Sequence, residues 1–215
     1  MIEHIRLINS QFNSNTYILS KENESSVWLV DPGDTLPVFE WINLHHKTTV
    51  AGILLTHTHF DHIYGVNDIL EKFPECVIYV ANDYGKEGLT NIKQNGSKYT
   101  GKPIVIEKTD NVRFFETEMA LWPDVTLTTQ ITPGHSDDSI CVIIDNLLFS
   151  GDTLIKDVRT VTKLKGGSVE KLNHTVSIIE QWKGNGHHIC PGHGEEFELD
   201  NYDLRKVTSS IGSNQ

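Results

Sequence analysis

Cysteine is scarce in this 215-residue chain, and the three present, Cys76, Cys141 and Cys190, are odd in number. Cys76 and Cys141 sit in apolar strand-like runs. This excludes a closed disulfide framework and points to a reducing compartment. No apolar run reaches the ~20 residues a membrane-spanning helix needs. Met1-Ile2-Glu3-His4-Ile5-Arg6 is not a basic segment leading into a long apolar stretch, so the expectation is a soluble, cytoplasmic protein with no membrane partner. Blocks of Lys or Arg are also absent, and the formal net charge is −11. A general attraction to nucleic acid is therefore not expected, and a small molecule is the expected partner. There is no Pro- or Ser-rich linker, internal repeat or low-complexity stretch, so residues 1–215 read as a single domain. A Walker A loop, a G-x-S-x-G elbow and a Rossmann glycine fingerprint are all missing, which removes three common kinds of catalytic apparatus.

What the chain does contain is alternating strand and helix signals. Ile2–Ile8, 16–19 and 27–30 read as a strand meander, residues 36–44 as a helix and 51–56 as a strand buried on both faces. A helix over 63–73 carries Ile63, Val66, Ile69, Leu70 and Phe73 on one stripe, and a strand over 76–80 completes a βαβ unit. Residues 83–103 read as a surface loop or short helices. Strands follow at 104–106, 112–114, 119–122, 125–131, 139–144 and 147–150, then a helix at 169–182, a brief strand at 189–190 and a final helix around 199–207. Two strand-rich halves, each with helices, suit two sheets packed face to face and covered by helices.

The chemistry concentrates in Thr56-His57-Thr58-His59-Phe60-Asp61-His62, between a strand and a helix. His57 and His59 project to one side of an extended segment, and the turn into the helix can bring Asp61 and His62 to a neighbouring point. Four further segments follow strand-like runs and are tightened by Gly or Pro: Asp31-Pro32-Gly33, Pro133-Gly134-His135, Gly151-Asp152 and Pro191-Gly192-His193. Donors on such loops are held by a rigid scaffold yet stay open to solvent. His45-His46 and His187-His188 read instead as solvated surface pairs, and Cys190 as a small buried side chain before a turn.

This set resembles the metallo-β-lactamase superfamily, whose H-x-H-x-D-H signature and downstream His, Asp and His build a dinuclear site. The resemblance spans residues 16–194 and implies an α/β fold, a four-layer αββα sandwich of two mixed β-sheets flanked by helices. It implies that His57, His59 and His135 hold one ion, that Asp61, His62 and His193 hold the second, and that Asp152 bridges them. Asp31 matches the family's early structural Asp and stays outside the metal shell. Imidazole and carboxylate suit Zn, Fe or Mn, with Zn expected here. The implied chemistry is hydrolysis by a metal-activated hydroxide, with Asp61 orienting it.

Within the superfamily the chain is most similar to the short glyoxalase II-like hydrolases of thioesters and related esters. The glutathione-gripping helical region of family glyoxalases has little counterpart after His193, so glutathione use stays open. The runner-up is an iron-dependent persulfide dioxygenase-like enzyme, although the Gly-Arg-Thr-Asp-like stretch usual after the Asp is missing. A low-turnover, metal-stabilised binding or regulatory protein is a third reading. The family's class B β-lactamases commonly carry Cys where Asp152 stands, which counts against antibiotic hydrolysis. Lys156, Arg159, Lys163 and Lys165 cluster after Asp152. Arg159 and Lys163 are the candidates to bind an anionic group of the substrate.

Overall fold

A computed structural model describes residues 2–208 and divides the chain into two compact units, 1–115 and 116–215. The first unit holds β1 (Ile2–Ile8), β2 (Asn15–Lys21), β3 (Ser26–Val30), α1 (Thr35–Leu44), β4 (Thr49–Leu54), α2 (Phe60–Ile63), α3 (Val66–Lys72), β5 (Val77–Val80), α4 (Asp83–Gly88) and β6 (Val112–Phe114). Its six strands lie in one mixed sheet in chain order. β1, β2 and β3 pair antiparallel, and β3 to β6 pair parallel. Parallel neighbours need crossovers: α1 joins β3 to β4, and α2 with α3 joins β4 to β5. Leu29, Ile53 and Ile78 of the sheet and Val38, Ile42, Val66 and Ile69 of the helices form one buried cluster.

The expected helix over 63–73 is divided, and its first part begins earlier, at Phe60. Gly65 explains the break. A Cβ there would stand 2.1 Å from the Gly33 carbonyl oxygen, and Gly65 N–H donates to the Pro32 carbonyl, so another loop occupies the place where a continuous helix would carry side chains. The expected strand at 104–106 does not form. Ile104 N–H donates to Ser97 Oγ and Ile106 N–H to the Leu89 carbonyl, while Ile106 is buried in the cluster. Its apolar residues serve the core from an irregular segment.

The second unit holds β7 (Glu118–Trp122), β8 (Val125–Ile131), β9 (Ile140–Ile144), β10 (Leu147–Gly151), α5 (Val169–Glu180), β11 (His188–Pro191) and β12 (Phe197–Glu198). These strands too form one mixed sheet in chain order. Only β10 and β11 pair parallel there, bridged by α5. Ser168 caps α5 by accepting from Lys171 N–H, and Leu172 and Ile179 pack on Cys141, Leu148 and Ile189. The helix expected around 199–207 is only a 3-10 turn at Leu204–Lys206. The chain there lies along an earlier segment instead: Tyr202 Oη donates to the Ile155 carbonyl and accepts from Asp157 N–H, and Thr160 N–H donates to the Val207 carbonyl.

The chain thus has two mixed sheets, the first packed against α1, α2 and α3 and the second against α5, as the resemblance to the metallo-β-lactamase fold implies. Among the described residues no helix is long and apolar enough to cross a membrane.

Candidate functional site

In the first unit β4 delivers the chain into the segment 55–59, and α2 turns Asp61 and His62 back toward it. His57, His59, Asp61 and His62 are all buried. The His57 ring lies 4.8 Å, edge-on, from His59 and 4.2 Å from His62.

Asp31 organises the loop. Its carboxylate accepts from Thr56 N–H at 2.8 Å, from Thr56 Oγ1 at 2.6 Å and from His62 Nδ1 at 3.1 Å. Because the Thr56 hydroxyl proton goes to Asp31, the 3.2 Å contact between Thr56 Oγ1 and His57 Nδ1 has the ring as donor. Both histidines therefore carry their proton on Nδ1, which leaves Nε2 as the acceptor nitrogen. Asp31 reaches this position with a φ of 49°, in the left-handed region that Asp tolerates better than most residues. Ser14 Oγ donates to the Asp61 carbonyl, and Phe60 N–H donates to the Asn95 carbonyl. Asn95 and Gly88, whose added Cβ would stand 2.1 Å from Thr58 Oγ1, come from the stretch read as a surface loop or short helices. Sequence reasoning missed these clamps, because nothing in a polar, weakly periodic segment signals that Asn95 is fully buried.

In the second unit three separate strand ends supply the donors. His135 follows β8, Asp152 follows β10 and His193 follows β11. Gly192 N–H donates to the Gly151 carbonyl at 2.8 Å, tying the last two loops together. Gly134 adopts a φ of 148°, and a Cβ there would stand 2.5 Å from Leu172 Cα, so α5 packs directly on the loop carrying His135. His135 Nδ1 donates to the Val161 carbonyl at 2.9 Å, which leaves its Nε2 as the acceptor as well.

Asp152 divides its carboxylate. Oδ2 stands 3.6 Å from His135 Nε2, and Oδ1 stands 3.5 Å from His193 Nε2. In the first unit His62 Nε2 and Asp61 Oδ2 are 3.7 Å apart. These separations are too long for good hydrogen bonds. They are close to the ~3.3 Å edge of a tetrahedron whose bonds have the ~2.0–2.1 Å length of zinc to nitrogen or oxygen. The donor type, the tautomers and the spacing all fit divalent metal.

Arg159 and Lys163 stand exposed, two residues either side of Val161. Lys156 is already engaged by Glu195 at 3.0 Å. His45 stacks on Trp41 at 4.1 Å. His188 opens β11 and lies between two glutamates, which is not the solvated turn expected for it.

The family model of the metallo-beta-lactamase superfamily matches residues 10–193. The hydroxyacylglutathione hydrolase of Pseudoalteromonas translucida (strain TAC 125) is 30% identical over 170 residues, covering 78% of this chain and 57% of that protein. This chain spans about half the length of the curated relatives it matches. Among solved structures, the BLEG-1 B3 metallo-beta-lactamase superposes with a TM-score of 0.83 at 26% identity, over 96% of this chain and 98% of that one. TTHA1623 in a di-iron-bound form has a TM-score of 0.76 at 22% identity, over the same shares, a likeness of fold. With the matched model running from before Asp31 through His193, the chain belongs to the metallo-β-lactamase superfamily.

Proposed function

We propose that this protein is a cytoplasmic metal-dependent hydrolase of small esters or thioesters, with residues 1–215 as one hydrolase domain that uses two divalent ions, most simply zinc. His57, His59 and His135 would hold one ion and Asp61, His62 and His193 the other, with Asp152 shared. The observation that carries this reading is the divided carboxylate of Asp152, one oxygen beside His135 and the other beside His193. A carboxylate serving a single partner has no reason to split in this way.

Two ions in such a site supply a nucleophilic water at neutral pH and a Lewis acid for a substrate oxygen. The chain's own residues set the geometry. Asp31, Thr56 and the Val161 carbonyl fix the tautomers of His62, His57 and His135. Such outer partners typically govern metal affinity by ~10–100-fold. Asp61 accepts a hydrogen bond from the attacking water and orients it. Arg159 and Lys163 grip an anionic group of the substrate, a contact made before and during reaction and therefore expressed in KM. The hydroxyacylglutathione hydrolase relatives support a thioester as the bond cleaved.

The test is a screen of small thioesters, lactones and phosphodiesters with protein of known metal content. The expected result is two equivalents of metal and thioester turnover. Full activity with one stable equivalent of iron and consumption of oxygen would overturn the hydrolase in favour of a dioxygenase. Two bound equivalents without turnover on any of these substrates would overturn catalysis on them altogether.

A further inference from the structure

We propose that the second unit carries an additional binding site for a borderline-soft divalent cation such as zinc, formed by His188, Cys190 and Glu196. These residues take no part in the hydrolytic centre, and the proposal stands independently of it.

The site follows from strand pairing. Along β11, His188 and Cys190 are two residues apart and share a face. β12 pairs antiparallel with β11, His188 opposite Glu198 and Ile189 opposite Phe197. The face opposite Ile189 and Phe197, which are buried against α5, therefore collects His188, Cys190 and Glu198, and the chain entering β12 adds Glu196. One ligand atom from each of His188, Cys190 and Glu196 lies within 4.8 Å of the others. The ~3.3–3.7 Å edges of a tetrahedron built from zinc bonds of ~2.0–2.3 Å fall within that limit.

A second observation, outside the trio, points to a metal. Glu198 Oε1 accepts from His188 Nδ1 at 2.6 Å, the carboxylate–histidine arrangement by which a ligating ring is oriented through its far nitrogen. His188 Nε2 is thereby turned to Glu196, at 3.0 Å. Cys190 is buried, so an ion here would be partly shielded from solvent. The charges also balance: a thiolate and one carboxylate neutralise a divalent ion. Binding forms bonds from the ion to Nε2, Sγ and a Glu196 oxygen. It releases two protons to solvent, one from the Cys190 thiol and one from His188 Nε2, while Nδ1–H stays with Glu198. Sulfur among the donors favours zinc over magnesium or manganese, and it separates this site from the centre of His57 to His193, which uses only nitrogen and oxygen.

Cobalt(II) reads this difference directly, because a thiolate ligand gives a near-ultraviolet charge-transfer band that nitrogen and oxygen ligands do not. Cobalt titration of metal-free protein should give that band with a third equivalent. Cys190→Ser should abolish it, with Cys76 and Cys141 still present, and Asp152→Ala should retain it. Glu198→Gln, which leaves the trio intact, should weaken cobalt binding at this site by ~10–100-fold, and His188→Gln more, in protein shown to be folded by circular dichroism. Absence of the band from folded protein at any cobalt loading would overturn the proposal and leave His188 as an imidazolium between two glutamates. So would a band that persists in Cys190→Ser or is unchanged in His188→Gln.

Discussion

The two units present metal-type donors by different means. The first places four of them, His57, His59, Asp61 and His62, on six consecutive residues, and a buried network centred on Asp31 holds that loop. The second takes His135, Asp152 and His193 from three strand ends, 58 residues apart from first to last in sequence, and relies on sheet order and close glycine contacts to bring them together. Local crowding needs side-chain hydrogen bonds to fix each ring. Convergence from distant strands needs a precise backbone.

The largest expected effect breaks the second arrangement at its centre. Asp152→Ala should lower metal stoichiometry and reduce kcat well beyond the ~10–100-fold typical of outer-sphere losses, while circular dichroism of the metal-supplemented protein remains that of the folded chain. Elemental analysis and turnover on the same sample check both. Retention of two ions and full turnover would contradict the bridging role.

Asp31→Ala tests the first arrangement. Thr56 N–H, Thr56 Oγ1 and His62 Nδ1 all lose a buried acceptor, so the metal-free protein should lose about 3 kcal/mol of stability, measured by urea unfolding. A stable but inactive Asp31 variant would mean that its role is catalytic and not architectural.

A smaller effect is expected at the rim of the second unit. Arg159→Ala and Lys163→Ala should each raise KM several-fold for an anionic substrate, corresponding to about 1 kcal/mol, and leave a neutral analogue unchanged. Equal effects on both substrates would remove the recognition role.

The smallest effect concerns pH. Burial lowers the pKa of His188, but the hydrogen bonds to Glu196 and Glu198 outweigh it and raise the pKa above its ordinary value. A group whose folded pKa is raised stabilises fully below its unfolded pKa of about 6.5 and loses that contribution as pH rises through the folded value. Metal-free protein should therefore show a slight fall in melting temperature over that interval, absent in His188→Gln. Identical profiles would show that the two glutamates do not stabilise the charged ring.

The sequence made the first unit's donors legible because they are contiguous, and strands such as β1 and β8 because apolar residues run between clear turns. It did not reveal the break at Gly65, since a helical stripe continues through it and only the approach of Gly33 divides it. It suggested a strand at Ile104 to Ile106 and a helix after Leu199, where tertiary hydrogen bonds to Ser97, Leu89 and Ile155 compete with local preference. The glutamates beside His188 were equally hidden, because β12 is two residues long and its pairing with β11 has no distinct periodic signal.

Both sheets keep their strands in chain order, β1 through β6 and β7 through β12. In each of them every strand can therefore be added to an outer edge already made, and none has to be threaded between two partners that have already paired. Such sheets can grow as the chain leaves the ribosome, with each closure spanning only the segment just synthesised. The first unit's donor loop and the residues that clamp it, Asp31, Gly88 and Asn95, then all lie on chain synthesised before the second sheet.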